Sequence, residues 1–144
     1  ASIENAKGPK DVLYYRMINR LIGVRHLTEA ENLLNEVQEF YPHTRQMDAL
    51  WVSYYYATKQ TRERALQDAV KLTQGSAGDL YSAKILVRIY LRENMTNEAL
   101  KEIEAVLDTN PNNGWALKMQ YRIETGKYMR DKDDFDDEGE DQEI

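Results

Sequence analysis

The sequence predicts an all-α protein, and three observations lead to this class. Apolar side chains recur at three- and four-residue spacing through most of residues 11–126, which is the spacing of one face of an α-helix. No segment alternates apolar and polar residues for long enough to indicate a strand. Gly23, Pro42, Pro111 and Gly126 stand at the ends of the periodic segments, where these residue types terminate helices.

The first two predicted helices follow residues 1–10, which we expect to be a flexible leader. The first begins at Asp11 and ends at Gly23. Its expected apolar stripe is Leu13, Met17, Ile18 and Leu21. We expect Thr28 to cap the second helix, with Glu31 completing a capping box. The apolar residues of that helix are Ala30, Leu33, Leu34, Val37 and Phe40, and Pro42 stops it.

Five more helices are predicted from the same three- and four-residue apolar spacing. The third has Met47, Leu50, Trp51, Tyr54 and Tyr55, and the fourth has Ala65, Leu66, Ala69, Val70 and Leu72. Gly75 and Gly78 separate the fourth from a fifth helix, which has Ile85, Leu86, Ile89 and Tyr90. The sixth starts near an expected cap at Thr96-Asn97 and runs through Ala99, Leu100, Ile103, Val106 and Leu107. The seventh has Trp115, Leu117, Met119, Tyr121 and Ile123.

These helices recur with a fixed period. Ala30, Ala65 and Ala99 lie 35 and 34 residues apart. Leu21, Tyr55 and Tyr90 lie 34 and 35 residues apart. Each alanine begins a helix that must approach its predecessor closely, which a small side chain permits. The chain resembles the tetratricopeptide repeat family, whose repeat has about 34 residues.

The resemblance covers roughly residues 11–126, and the third unit fits best, through Leu86, Tyr90, Ala99, Ile103 and Pro111. The second unit needs one inserted residue and lacks the closing proline. The resemblance implies a right-handed α-solenoid of three helix pairs, with the seventh helix as a C-terminal cap. The expected division is a leader at 1–10, a repeat domain at 11–126 and a disordered acidic tail at 127–144.

Charge separates the tail from the rest of the chain. Residues 131–144 hold nine acids and one lysine, for a net charge of −8, whereas residues 1–130 hold 18 Lys/Arg and 16 Asp/Glu, for +2. So small a positive excess argues against nucleic-acid binding. We expect a cytoplasmic protein without membrane insertion, because no apolar run approaches the roughly 20 residues of a membrane helix. A signal or anchor upstream of residue 1 stays an open alternative.

Residues for catalysis are scarce. There is no cysteine, and His26 and His43 stand in predicted turns without a paired nucleophile. No phosphate-binding or zinc-protease motif occurs. In the tail, Asp134, Asp136 and Glu138 have the spacing of a calcium loop, but residue 144 ends before the required twelfth-position glutamate. We therefore predict neither an enzyme nor a metal or cofactor site.

The resemblance also implies a binding surface, because the first helix of each pair in that family lines a concave groove. Lys84 and Arg88, like Lys118 and Arg122, are four residues apart and share a helix face. We expect an adaptor that binds an acidic protein segment with apolar anchors in this groove. The expected partner-binding residues are Tyr15, Asn19, Tyr56, Tyr81, Lys84, Arg88, Trp115, Lys118 and Arg122.

Two alternatives stay open at this stage. The tail 131–144 is acidic and tethered near the basic helices, so it can compete for the groove within one molecule. The protein can also be a self-assembling subunit whose repeats stack between copies, although Glu29, Glu36 and Glu39 make one helix face polar.

Overall fold

A computed structural model describes residues 10–40, 44–75 and 79–127, and these segments form α-helices and no strand. The helices are α1 (Lys10–Gly23), α2 (Leu27–Gln38), α3 (Arg45–Ala57), α4 (Arg62–Gln74), α5 (Leu80–Arg92), α6 (Thr96–Thr109) and α7 (Gly114–Thr125). A short 3-10 helix, Lys59–Thr61, precedes α4. The predicted all-α class is therefore confirmed. The superhelical stacking of helix pairs stays a prediction, as does the tetratricopeptide resemblance.

The chain divides into two compact units, Ala1–Leu72 and Thr73–Ile144. In unit 1, α1, α2 and α3 pack against one another. In unit 2, α6 packs against both α5 and α7. The last residues of α4 belong to unit 2, where Thr73 hydrogen-bonds the hydroxyl of Tyr90 on α5.

The two units repeat the same three helices. Adding 69 to the residue numbers of α1, α2 and α3 gives segments that nearly coincide with α5, α6 and α7. The caps repeat as well: the Thr44 hydroxyl accepts the Met47 N–H at 3.1 Å, and the Asn113 side chain accepts the Ala116 N–H at 2.9 Å. Such side-chain caps satisfy N–H groups that the helix itself leaves unpaired. The spacing of 69 is the sum of the sequence periods 35 and 34.

The turn between the first two helices of each unit is also the same. Arg25 and Asn94 both have left-handed backbone, with φ of 68° and 59°. The following residue donates its N–H to a carbonyl five residues earlier, His26 to Leu21 at 2.9 Å and Met95 to Tyr90 at 2.8 Å. This is the hydrogen bond that closes a helix by way of a left-handed residue.

The same turn overturns two capping predictions. Because it brings the chain back into helix at once, α2 begins at Leu27 and α6 at Thr96. Their N-cap residues are His26 and Met95, and neither makes a side-chain cap hydrogen bond. Thr28 therefore lies inside the first turn of α2, and the predicted capping box is wrong. Thr96 is likewise the first helical residue and not a cap.

The α3–α4 connection differs from these two turns. It contains four residues, 58–61, whereas the α1–α2 and α5–α6 connections contain three. The hydroxyls of Thr58 and Thr61 both donate to the Tyr55 carbonyl, at 2.9 and 2.8 Å. The inserted residue that the sequence requires in the second repeat is thus accommodated by the 3-10 helix.

The buried side chains correct two of the predicted apolar stripes. On α1, the core residues are Tyr15, Ile18 and Ile22, whereas the predicted Leu13 and Met17 are 59% and 52% exposed. On α7, Ala116, Met119 and Ile123 are buried, whereas Leu117 and Tyr121 are exposed. Both real stripes follow helical spacing; the predictions were right at Ile18, Met119 and Ile123 and failed at apolar residues on adjacent faces of the same helices.

None of the helices in the described segments combines the length and the apolar character that crossing a membrane would require.

Candidate functional site

Two of the predicted partner-binding residues lie in the core. Tyr15 is 2% exposed, and its hydroxyl hydrogen-bonds the Thr44 hydroxyl at 3.1 Å, which joins α1 to the start of α3. Tyr81 on α5 is 8% exposed. The prediction that these two rings line a surface groove is therefore wrong. Their α-helices place them on the buried face, where a phenol ring contributes packing instead of contact with a partner.

Asn19 and Tyr56, the other predicted residues of unit 1, are half-buried. The Tyr56 ring carries the Arg62 guanidinium 4.9 Å from its centroid. The same guanidinium donates through Nε to the Tyr56 carbonyl at 3.2 Å. Tyr56 thus holds the 3-10 connection against the end of α3, which gives it a structural role whether or not it contacts a partner.

The remaining predicted residues belong to unit 2. Lys84, Arg88, Trp115 and Arg122 are half-buried, and Lys118 is exposed. Lys84 and Arg88 share one face of α5, and Lys118 and Arg122 share one face of α7, as expected from their four-residue spacing. Both helices pack against α6, so the two basic pairs flank the same central helix.

Charge in the two units is separated by helix. In unit 2, α5 contains three cations and no acid, whereas α6 contains one lysine and four acids, and α7 contains two cations and one acid. Unit 1 repeats the pattern, because α1 has a lysine and two arginines with one acid and α2 has three acids and no cation. The first helix of each unit is therefore basic and the second is acidic. Four-residue spacing in the sequence indicated the basic pairs, whereas the acidic helices beside them were not predicted.

Unit 1 contains an open cleft between α3 and α4, with a volume of about 520 Å³. One wall is a stripe of α3 at helical spacing, made of Asp48, Trp51, Val52 and Tyr55. The other wall is a stripe of α4 that is mostly charged. Its residues are Arg64, Asp68, Lys71 and Leu72. Gln38, the last residue of α2, lies at one end.

Aromatic contacts hold the α3 wall in place. The rings of Trp51 and Tyr55 stack with centroids 5.6 Å apart, and Tyr54 meets both rings edge-on. The Trp51 indole N–H donates to the Gln38 side chain. Across the cleft, the Arg64 guanidinium lies 4.8 Å from the Tyr55 ring centroid. Such cation–π and stacking contacts fix both rings in defined orientations.

The charged wall explains why the cleft stays open. Arg64 and Asp68 form an ion pair at 3.7 Å, and both side chains remain partly in water. Closing α4 onto Trp51 would strip water from these charges, and burial of an ion pair costs more than it returns unless its geometry is excellent. The buried residues of this part of α4 are the small Ala65 and Ala69. A charged stripe at four- and three-residue spacing is the sequence signal that would have indicated the cleft.

A hydrogen bond outside the cleft ties α3 to α2. The Tyr54 hydroxyl donates to the Glu31 carboxylate. This bond raises the pKa of Tyr54 from 10.0 to about 12, and partial burial adds to the shift. The phenol of Tyr54 therefore stays protonated throughout the physiological range, where it acts as a donor and not as a base.

Residues for catalysis or metal binding do not converge in the described segments. The exposed His26 lies beside Glu29, with 3.4 Å between Nδ1 and the carboxylate. No group of three His, Cys, Asp or Glu side chains is arranged there to hold a metal ion. His43 and the acidic residues 131–144 lie outside the described segments, so the predicted docking of the tail is not addressed by them.

Comparison of the chain with family models, with curated proteins and with solved structures found no match.

Proposed function

We propose that this chain is a non-catalytic protein-interaction module that binds an acidic segment of a partner protein. The observation that supports the proposal is the separation of charge by helix in unit 2. Positive charge on α5 and α7 flanks an acidic α6, so cationic side chains are presented on two helices and are not dispersed over the unit. Complementary charge of this kind accelerates encounter and selects against partners of the wrong sign.

The cleft of unit 1, considered by itself, is a separate candidate for contact with an apolar side chain of a partner. Trp51 and Tyr55 offer a rigid aromatic wall that is only half-buried. Large aromatic side chains with fixed orientation supply much contact area at little cost in conformational entropy. An apolar side chain of a partner segment would contact this wall while its polar backbone stays near the charged wall of α4.

Binding of a defined probe tests the charge component. The probe is a fluorescent peptide of alternating glutamate and leucine, compared with a peptide in which glutamine replaces every glutamate. We expect the full chain to bind the glutamate peptide, and Lys84→Gln/Lys118→Gln to weaken binding by about tenfold. Fluorescence anisotropy gives both dissociation constants.

A matched control variant is Lys59→Gln/Lys101→Gln, which removes two exposed lysines outside α5 and α7. It has the same net charge as the test variant, and we expect it to bind almost like the wild type. Equal weakening by both variants would mean that only total charge matters, and the proposal would fail. Equal binding of the glutamine peptide would also contradict it.

A further inference from the structure

The terminal helices of the described chain each leave an apolar face exposed. On α1 the face consists of Leu13 and Met17, which are exposed and one turn apart; we call it the α1 face. On α7 it consists of Leu117 and Tyr121, one turn apart, which we call the α7 face. Leaving leucine, methionine and tyrosine side chains exposed to water on one helix face is unfavourable compared with burying them.

The internal repeat allows the burial of each face to be compared with that of the equivalent residues in the other unit. At the 69-residue offset, Leu13 corresponds to Ser82 and Met17 to Leu86, and both of these α5 residues are fully buried. In unit 2, Tyr121 of α7 corresponds to the buried Val52 of α3, whereas Leu117 corresponds to the exposed Asp48. The α1 face is therefore the counterpart of a covered face in unit 2, and the α7 face is the counterpart of a partly covered face in unit 1.

Charge indicates the occupant of the α1 face. Arg16 and Arg20 lie within the same part of α1, and their α5 counterparts are the buried Ile85 and Ile89. An occupant that combines apolar surface with negative charge would therefore complement this part of α1. The chain itself has that combination at its other end, because the α7 face is followed in sequence by residues 131–144 with a net charge of −8 and Phe135.

The position of the acidic segment in the repeat strengthens the match. Residues 131–143 stand at the same offset of 69 from α4 as α7 does from α3. In the chain, α4 is the helix whose end contacts α5, through the hydrogen bond between Thr73 and Tyr90. In the repeat pattern, the acidic segment therefore stands where α4 stands before α5. Because α5 and α1 are both the first helix of their unit, α1 is the equivalent helix for the acidic segment to contact.

We infer that two copies of this chain associate head to tail, with the α7 face and acidic segment of one copy bound to the α1 face of the next. The interface is heterologous, since it joins two different surfaces. A copy that has donated its α7 face still presents its own α1 face, so association continues beyond the dimer or closes into a ring.

Sedimentation with complementary variants tests this arrangement. Leu13→Lys/Met17→Lys disables the α1 face, and Leu117→Lys/Tyr121→Lys disables the α7 face. We expect the wild-type chain to exceed the mass of a dimer as its concentration rises, and each variant alone to associate at least about tenfold more weakly. An equimolar mixture of the two variants retains one intact pair of faces, so it should form a dimer and grow no further.

The mixture also separates loss of the interface from loss of the fold, because variants that cannot fold cannot restore association. Asn32→Lys/Asn35→Lys adds two lysines at exposed polar positions of α2 and should associate like the wild type. A wild-type chain that stays monomeric up to millimolar concentration would overturn the inference, and this is the outcome expected if each chain covers its own α1 face. Dimerisation of the α7 variant alone would also overturn it, since it indicates a symmetric contact.

Discussion

Units 1 and 2 have the same local structure but very different burial. Their first turns share a left-handed residue and the same closing hydrogen bond, at Arg25 in unit 1 and at Asn94 in unit 2. Yet α5 buries nine residues, whereas the described α1 buries three. Local sequence therefore determines the turn, and the neighbours of a helix determine how many of its faces are covered. Equivalent residues in the two units can consequently have opposite environments.

The largest expected difference concerns Leu86 and Met17, which occupy the same position in the two units. Leu86 is fully buried, so Leu86→Ala should lower the free energy of unfolding by about 2–5 kcal/mol through lost burial and an unfilled cavity. Met17→Ala removes an exposed side chain and should change it by less than about 0.5 kcal/mol. Urea unfolding followed by circular dichroism measures both at dilute protein. Similar losses for the two variants would show that α1 is covered in solution as α5 is.

A second comparison should give equal effects in the two units. Ala30 and Ala99 are equivalent, and both are fully buried at the start of the second helix. Replacing either with leucine forces a larger side chain into a close helix contact, which should cost about 1–3 kcal/mol. The same unfolding experiment applies, with Asn35→Leu at an exposed position as control. If one alanine accepts leucine without loss, the two hairpins do not pack alike.

A smaller effect distinguishes the two left-handed residues. A side chain in the left-handed region costs roughly 1–2 kcal/mol, and asparagine tolerates it better than arginine. We expect Arg25→Gly to raise the thermal midpoint of unfolding, by a stabilisation of up to about 1 kcal/mol after the entropy of the more flexible unfolded chain is subtracted. Arg25→Asn should stabilise less, and Asn94→Gly should be nearly neutral. A larger gain at Asn94 than at Arg25 would contradict the equivalence of the turns.

The smallest effect concerns a contact in unit 1 for which unit 2 has no polar counterpart. Tyr54 and Glu31 correspond to Ile123 and Leu100 in unit 2. Because the folded pKa of Tyr54 is about 12, above the ordinary 10.0, its contribution to stability is complete below pH 10 and is lost as the pH rises toward 12. Glu31→Gln should bring this pKa back toward 10.0.

Absorbance of the phenolate measures this titration, taken as the difference between each protein and its Tyr54→Phe counterpart. Glu29→Gln, on the same helix but outside the contact, serves as control and should leave the Tyr54 pKa at about 12. An unchanged pKa in the Glu31→Gln background would mean that burial and not the hydrogen bond sets it.

The sequence predicted the helices well and their faces less well. Helix positions follow from periodicity and from Gly23 and Gly126, and Gly126 does end α7 with a left-handed φ of 73°. The sequence also required one inserted residue in the second repeat without placing it, and the α3–α4 connection is one residue longer than the other two. Capping at Thr28 failed, because the Ala30 N–H donates to the His26 carbonyl at 3.0 Å and α2 therefore begins before Thr28.

The candidate site was harder to predict, for a physical reason. The helices that pack beside α1 determine that Tyr15 points into the core and Met17 into water. The sequence alone does not show this, because more than one face of α1 has apolar residues at helical spacing. The cleft escaped notice because Trp51 and Tyr55 have the composition of a core, and it is the charged stripe of α4 opposite them that keeps them accessible. The basic pairs were found because four-residue spacing on one helix needs no knowledge of neighbours.

The salt dependence of peptide binding tests the functional account most directly. If cations on α5 and α7 bind the acidic segment, the affinity of the glutamate–leucine peptide for the wild-type chain must fall steeply as salt rises, because exposed charges are screened. The Lys84→Gln/Lys118→Gln variant must then show a shallower decline, and Lys59→Gln/Lys101→Gln the wild-type decline. The same slope for all three proteins would contradict the assignment of binding to these two helices.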